Sequence, residues 1–346
     1  MNTFLQKECT IKGYKPLYVT SEFVYAAKNN KLYTISNSCN DIEYIGKYPM
    51  GMSDYLPSKS RIFTRLLRSG FHSVVPLNDG SIIALTLGKI VHKSSGSNIF
   101  TPVFNIPRGR RPLNICHSAN CTEMYFGEYF DNRDRDEVNI YGSHDGQKWY
   151  VAYTFKKGAI RHVHGVYHDQ YRDGYWVLTG DDDEECQILF TDDNFTTLNV
   201  AFAGKQKYRA VTIIPKEYGL IVPTDTPLEK NYIQWFDVNS NRQEIIQEIT
   251  GSVFYSATVQ ETMFISVIVE PSKINLNKYA KILVSKNGGT DWETLISDKK
   301  DRLSPKYFQY GSFMIPSHSH ESNMLYVYGT ALANYDDTTI SFNLNL

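Results

Sequence analysis

The stretch Ser285-Lys286-Asn287-Gly288-Gly289-Thr290-Asp291-Trp292 follows the β-rich run 281–284, and Ser143-His144-Asp145-Gly146-Gln147-Lys148-Trp149 follows a similar run at 138–141. Both read as a strand, a Ser-x-Asp/Asn-Gly turn and a tryptophan. Each part has a physical job. The Asp or Asn caps the turn by accepting backbone N–H groups, glycine supplies positive φ, and the indole packs between sheets. Thr191-Asp192-Asp193-Asn194-Phe195-Thr196 is a degenerate third copy. Ser143 and Thr191 are 48 residues apart, and Thr191 and Ser285 are 94 apart, about two steps of 47. The same step reaches strand–turn–strand patterns near 96, 238 and 332, and a less regular copy lies near Ser36. Up to seven hairpins with this period match the roughly 40–50 residues of a four-stranded propeller blade.

The rest of the chain agrees with that reading. It has 346 residues, of which 14% are aromatic, including 25 Tyr and 18 Phe, residues that suit a pleated, half-buried surface. No amphipathic helix of a dozen or more residues stands out. The expected fold is therefore an all-β, single-domain β-propeller of four-stranded blades spanning 1–346, with seven blades favoured and six as the alternative. Lys+Arg is 36 against Asp+Glu 37, so no global field draws in nucleic acid. No apolar run approaches the roughly 20 residues of a membrane span. The first residues, MNTFLQKECTIKGYK, lack the apolar core of a signal peptide. A cytoplasmic location is expected, unless export takes another route or a leader has been removed. Cys9, Cys39, Cys116, Cys121 and Cys186 are scattered, with no CxxC pair, and reduced thiols are expected. The oligomeric state is left open.

The Ser-x-Asp-x-Gly-x-x-Trp turn resembles the Asp-box, or BNR repeat, of sialidase-like β-propellers. The copy at 285–292 has the full spacing with Asn287 in place of Asp, and the copy at 143–149 is one residue short. The resemblance implies the propeller fold. It also points to glycosidases, although such propellers include binding and assembly proteins.

Blade phase assigns polar residues to rims. If the Asp-box turns join third and fourth strands, they share one rim. The opposite rim carries the entries to the innermost strands and the second-to-third loops. The inner strands are expected to start near Arg68, Arg110, Ile160, Tyr208, Gly251 and Phe308, which places Arg68, Arg111, Arg161 and Arg209 at four of the entries. Guanidinium binds carboxylate bidentately, so such a cluster suits an anionic ligand. His72, Gln206 and Tyr255 join the arginines as candidate substrate-binding residues. His162 and His164 lie two apart and share one strand face. The second-to-third loops deliver Glu128, Asp181, Asp225 and Glu270.

By resemblance, the arginines hold a sugar carboxylate, and two of the four carboxylates act as acid and nucleophile or base. Sialidases use a tyrosine nucleophile, and by that resemblance Tyr208, beside Arg209, is a candidate for the role. The leading expectation is a glycoside hydrolase acting on an acidic poly- or oligosaccharide. One alternative is a uronate-polysaccharide lyase in which His162 or His164 and Tyr208 move protons and Arg209 neutralises the uronate. Another is a non-catalytic glycan- or protein-binding propeller. The plainer readings are hydrogen-bonded structural histidines, carboxylates tied up by arginine, and Tyr208 in the core. No cofactor is expected. A divalent metal at His162 and His164, with a third ligand from Asp181, Asp183 or another blade, is the less favoured reading. The sequence has no Gly-rich phosphate loop, GxSxG elbow or HExxH motif.

Overall fold

The computed structural model describes residues 5–51, 60–240, 242–319 and 321–344. The turn motifs form as their side chains dictate. Ser143 Oγ accepts from Gly146 N at 2.8 Å, Asp145 Oδ1 accepts from Gln147 N and Lys148 N at 2.8 and 2.7 Å, and Trp149 Nε1 donates to Gly146 O at 3.0 Å. In the second copy Ser285 Oγ accepts from Gly289 N at 3.0 Å, and Trp292 Nε1 donates to Gly289 O at 2.9 Å. In the degenerate copy Thr191 Oγ1 accepts from Phe195 N at 3.2 Å. All three turns join the third and fourth strands of their sheets, as the sequence predicts.

Seven sheets of this kind make the fold an all-β, seven-bladed β-propeller, so the six-bladed alternative is set aside. Numbered along the chain, the blades are 1 (15–47), 2 (71–105), 3 (116–155), 4 (162–203), 5 (214–249), 6 (253–299) and 7 (312–344 with 5–12). Blade 1 gains a short parallel strand, Ser317–His318, beside Lys15–Val19. In blade 7 the strand Leu5–Lys12 pairs antiparallel with Thr338–Leu344.

Two compact units can be described separately. One comprises Val75–His92 and Pro102–Val253 and holds blades 3, 4 and 5. Its core forms where neighbouring blades press together: Tyr125, Val138 and Ile140 of blade 3 meet Val163, Tyr175 and Leu189 of blade 4. Blade 4 meets blade 5 through Trp176, Leu178, Leu220 and Phe236. Period-2 alternation puts these apolar side chains on the sheet faces.

The other unit comprises Met1–Val74, Lys93–Thr101 and Phe254–Leu346. Phe264, Ile282 and Val284 of blade 6 pack with Phe313, Leu325 and Ile340 of blade 7. Two short helices, α1 (Arg61–Leu67) and α2 (Pro305–Phe308), pack on each other here. Cys9 and Cys39 are joined by a disulfide, with their Cα atoms 6.3 Å apart. This corrects the expectation of reduced thiols for that pair. Strand Leu5–Lys12 carries Cys9 to the turn that holds Cys39, a proximity that 30 residues of separation hid. Cys116, Cys121 and Cys186 are free.

Candidate functional site

His162 and His164 sit at the start of the first strand of blade 4 (His162–Asp169), and Asp181 directly follows the second strand (Gly174–Gly180). Register places His162 opposite Gly180, so the histidines and the carboxylate meet at one end of the blade. A bulge between Val163 and Gly165 re-aims the strand there. Gly180 is a required glycine: a Cβ on it would lie 2.6 Å from His164 Cε1 and 3.3 Å from Arg209 Cγ.

Both rings are buried, and both are held by backbone carbonyls. His162 Nδ1 lies 3.1 Å from Phe130 O, and His164 Nδ1 lies 3.0 Å from Ala210 O. A carbonyl only accepts, so each Nδ1 carries hydrogen and each Nε2 of a neutral ring presents a lone pair. The two Nε2 atoms are 3.2 Å apart. They lie 3.6 and 3.5 Å from the two oxygens of Asp181. Burial pushes the His164 imidazole below its usual range, and His162 adds to the effect while Asp181 opposes it.

Two arginines flank the carboxylate. Arg161 Nη1 is 2.8 Å from Asp181 Oδ2, and Arg209 Nη2 is 2.9 Å from Asp181 Oδ1. Arg161 is shared with Asp131 at 2.6 Å, and Arg209 Nε lies 3.5 Å from Asp225. Burial alone would raise the Asp181 carboxyl, but its charged neighbours, Arg209 among them, outweigh burial and hold it well below the usual carboxylate range. Tyr129 covers the pair, its ring 4.2 Å from the His162 ring centre to centre. Burial, then Asp181 and Asp225, raise its phenol. Blades 3, 4 and 5 thus contribute to one polar cluster.

The three groups His162, His164 and Asp181 place ligand atoms within 4.8 Å of one another. Two Nε2 donors and a carboxylate, with each Nδ1–H anchored to a carbonyl, form a donor set that fits a divalent cation. This overturns the expectation that no metal or cofactor is involved. The sequence could place the histidines on one face. It could not show that Phe130 and Ala210, on neighbouring blades, fix both rings with Nε2 inward.

The other predicted residues fall in several places. Gln206 braces the site from behind, with Nε2 donating to Asp181 O and Asp183 Oδ1 at 2.9 Å each. Tyr208 packs against Phe202 and Phe236. Glu128 is fully buried and engaged by Arg108 at 2.5 Å, Asn139 N at 2.9 Å and Tyr141 Oη at 3.3 Å. Arg111 is half-buried on the entry to blade 3. Arg68, His72, Tyr255 and Glu270 belong to the other unit. There Arg68 is exposed in a left-handed conformation at the end of α1, and His72, Tyr255 and Glu270 are half-buried. Asp131, which latches Arg161, escaped residue-level prediction although it lies in the acidic loop after Gly127. Its signal was the arginine one blade along.

No protein-family model matches the chain, and no curated protein matches it in sequence. Solved structures match in fold. An oligogalacturonate lyase in complex with manganese superposes with a TM-score of 0.60 at 7% identity, covering 97% of this chain and 90% of that one. An oligogalacturonate lyase from Vibrio parahaemolyticus gives 0.56 at 7% identity, covering 98% and 92%. The WD40 propeller domain of Doa1 gives 0.55 at 9% identity, covering 99% and 98%. At these identities the likeness establishes the propeller fold.

Proposed function

We propose that the chain is a metal-assisted carbohydrate-active enzyme acting on a uronate-containing glycan, and that it cleaves by elimination rather than hydrolysis. The observation that carries the reading is the facing pair of Nε2 lone pairs on His162 and His164, closed by the Asp181 carboxylate and flanked by two guanidiniums. Lone pairs 3.2 Å apart and turned toward a carboxylate repel one another unless a cation sits among them. The fold likeness to oligogalacturonate lyases, one of them described with manganese, supports the same reading.

His162 Nε2, His164 Nε2 and an oxygen of Asp181 would hold the metal. Bound there, a divalent ion supplies Lewis-acid polarisation of a uronate carboxylate and so acidifies the neighbouring C–H. The protein groups do the rest. Arg133, Arg161 and Arg209 balance Asp131, Asp181 and Asp225 in charge. With a divalent ion held there the cluster would carry excess positive charge, which suits an anionic uronate carboxylate. Arg161 and Arg209 orient that carboxylate through charge-assisted hydrogen bonds. Tyr129 keeps its proton at Oη, because its phenol is raised, and presents it as a hydrogen-bond donor to the bound glycan.

The test uses the full chain, stripped with chelator and reloaded with Mn²⁺, on a panel of uronate glycans including oligogalacturonate. Ultraviolet absorbance of the unsaturated product and reducing ends are followed together. Both should rise with metal and vanish in His164→Ala. Reducing ends without absorbance would replace elimination by hydrolysis. Neither signal, with glycan binding intact, would leave a recognition propeller.

A further inference from the structure

We propose that the face formed by α1 and α2 docks onto an anionic lipid surface. Helix α1 is inverted for a surface helix. Its polar stripe faces the protein: Arg65 is 3% exposed, paired with Asp301 at 2.5 Å and donating from Nε to Phe308 O at 3.1 Å. Arg61 pairs with Asp336 at 2.6 Å, and Gln309 Nε2 donates to Arg65 O at 2.9 Å. These contacts fix the rotation of the helix, and the apolar stripe points outward. Ile62, Phe63, Leu66 and Leu67 are 55, 50, 42 and 55% exposed. Beside them Leu303 and Tyr307 of the α2 segment are 39 and 55% exposed. An amphipathic surface helix ordinarily does the opposite, burying the apolar stripe and wetting the charged one.

Charge chooses the occupant. Arg68, Arg302 and Lys306 are exposed on the same two segments, and residues 60–68 and 302–310 contain no Asp or Glu. A second copy seated symmetrically on this face would bring like cations together. Aliphatic Ile62, Leu66 and Leu67 offer a sugar neither stacking surface nor hydrogen bond, whereas acyl chains accept them. Apolar side chains with Phe63 and Tyr307, rimmed by cations, match a surface that lies in the headgroup layer. No helix among the described residues is long and apolar enough to cross a membrane.

The experiment is co-sedimentation of the full chain with phosphatidylcholine vesicles, with and without phosphatidylserine. The wild type should bind the phosphatidylserine vesicles and release as salt rises. Each cation contributes about fivefold at an anionic surface, so Arg302→Glu/Lys306→Glu should weaken binding by at least about 25-fold. Phe63→Ser/Leu67→Ser should abolish it. Both pairs are exposed, and their melting temperatures should stay within a few degrees of wild type. No binding to either vesicle overturns the proposal, as does equal binding by the charge-reversed variant. Self-association that both variants dissolve assigns the face to a second copy. Retention on an acidic polysaccharide, lost in the same variants without vesicle binding, assigns it to a glycan.

Discussion

Gly180→Ala isolates the metal proposal with one methyl group. The Gly180 φ lies outside the left-handed region, so alanine fits the backbone, but its Cβ would meet His164 Cε1 at 2.6 Å. The ring must retreat by roughly 1 Å to restore ordinary carbon–carbon separation. Metal–ligand distances tolerate only about 0.2 Å. Overpacking of this kind costs about 1–3 kcal/mol of stability in the metal-free protein. Disturbing ligand orientation typically costs about 10–100-fold in metal affinity. At a free metal concentration 100 times Kd, wild type gains about 2.7 kcal/mol from binding. After that loss the same concentration gives only about 0.4–1.4 kcal/mol. Thermal melts with chelator and then with excess Mn²⁺ separate the two effects. The chelated variant should melt somewhat below wild type, and its metal-dependent rise should shrink to half or less. A full metal-dependent rise in Gly180→Ala would refute the assignment of the ion to His164.

Other perturbations probe independent parts. Arg209→Lys replaces two-point contact with Asp181 by a point charge, so KM for an acidic substrate should rise about 10–100-fold when measured at saturating metal, with metal occupancy checked by calorimetry. Cys9→Ser should lower stability by about 3.7 kcal/mol, since the bond closes a 30-residue separation, and reductant should reproduce the loss in wild type but not in the variant. Burial pushes the His318 imidazole down to about 4, below its unfolded value of about 6.5. The unfolded chain therefore binds the proton first, and this stability is full above pH 6.5 and drains as pH falls toward 4. His318→Gln should flatten that part of a pH–denaturant series. Ser285→Ala removes the acceptor of the Gly289 N–H and should cost about 1–3 kcal/mol while leaving metal binding unchanged.

The blade repeat was legible because its turn chemistry is local. Ser143, Asp145 and Trp149 bond within seven residues of one another, so sequence alone carries the geometry. The rim assignments of Arg161, Arg209, His162, His164 and Asp181 followed from blade phase and meet in one cluster. Features set by distant partners were illegible. The ring tautomers depend on carbonyls at Phe130 and Ala210. Glu128 is absorbed by Arg108, and the disulfide depends on how Leu5–Lys12 lies against the turn of blade 1. Arg68 illustrates the limit of phase: the strand it was expected to open starts at Phe71, and Arg68 instead ends α1.

The pairing of Leu5–Lys12 with Thr338–Leu344 has a consequence for synthesis. At roughly 5–20 residues per second, the strand Leu5–Lys12 emerges tens of seconds before its ladder partner Thr338–Leu344 exists. That contact spans nearly the whole chain, which makes it the most costly to close by diffusion. Leu5 lies opposite Leu344, so a short linker could join these strands while the chain is opened at an exposed turn elsewhere. The permutant would turn the longest-range ladder into a hairpin. Its refolding should quicken, while its unfolding rate should change little if that ladder forms in the transition state.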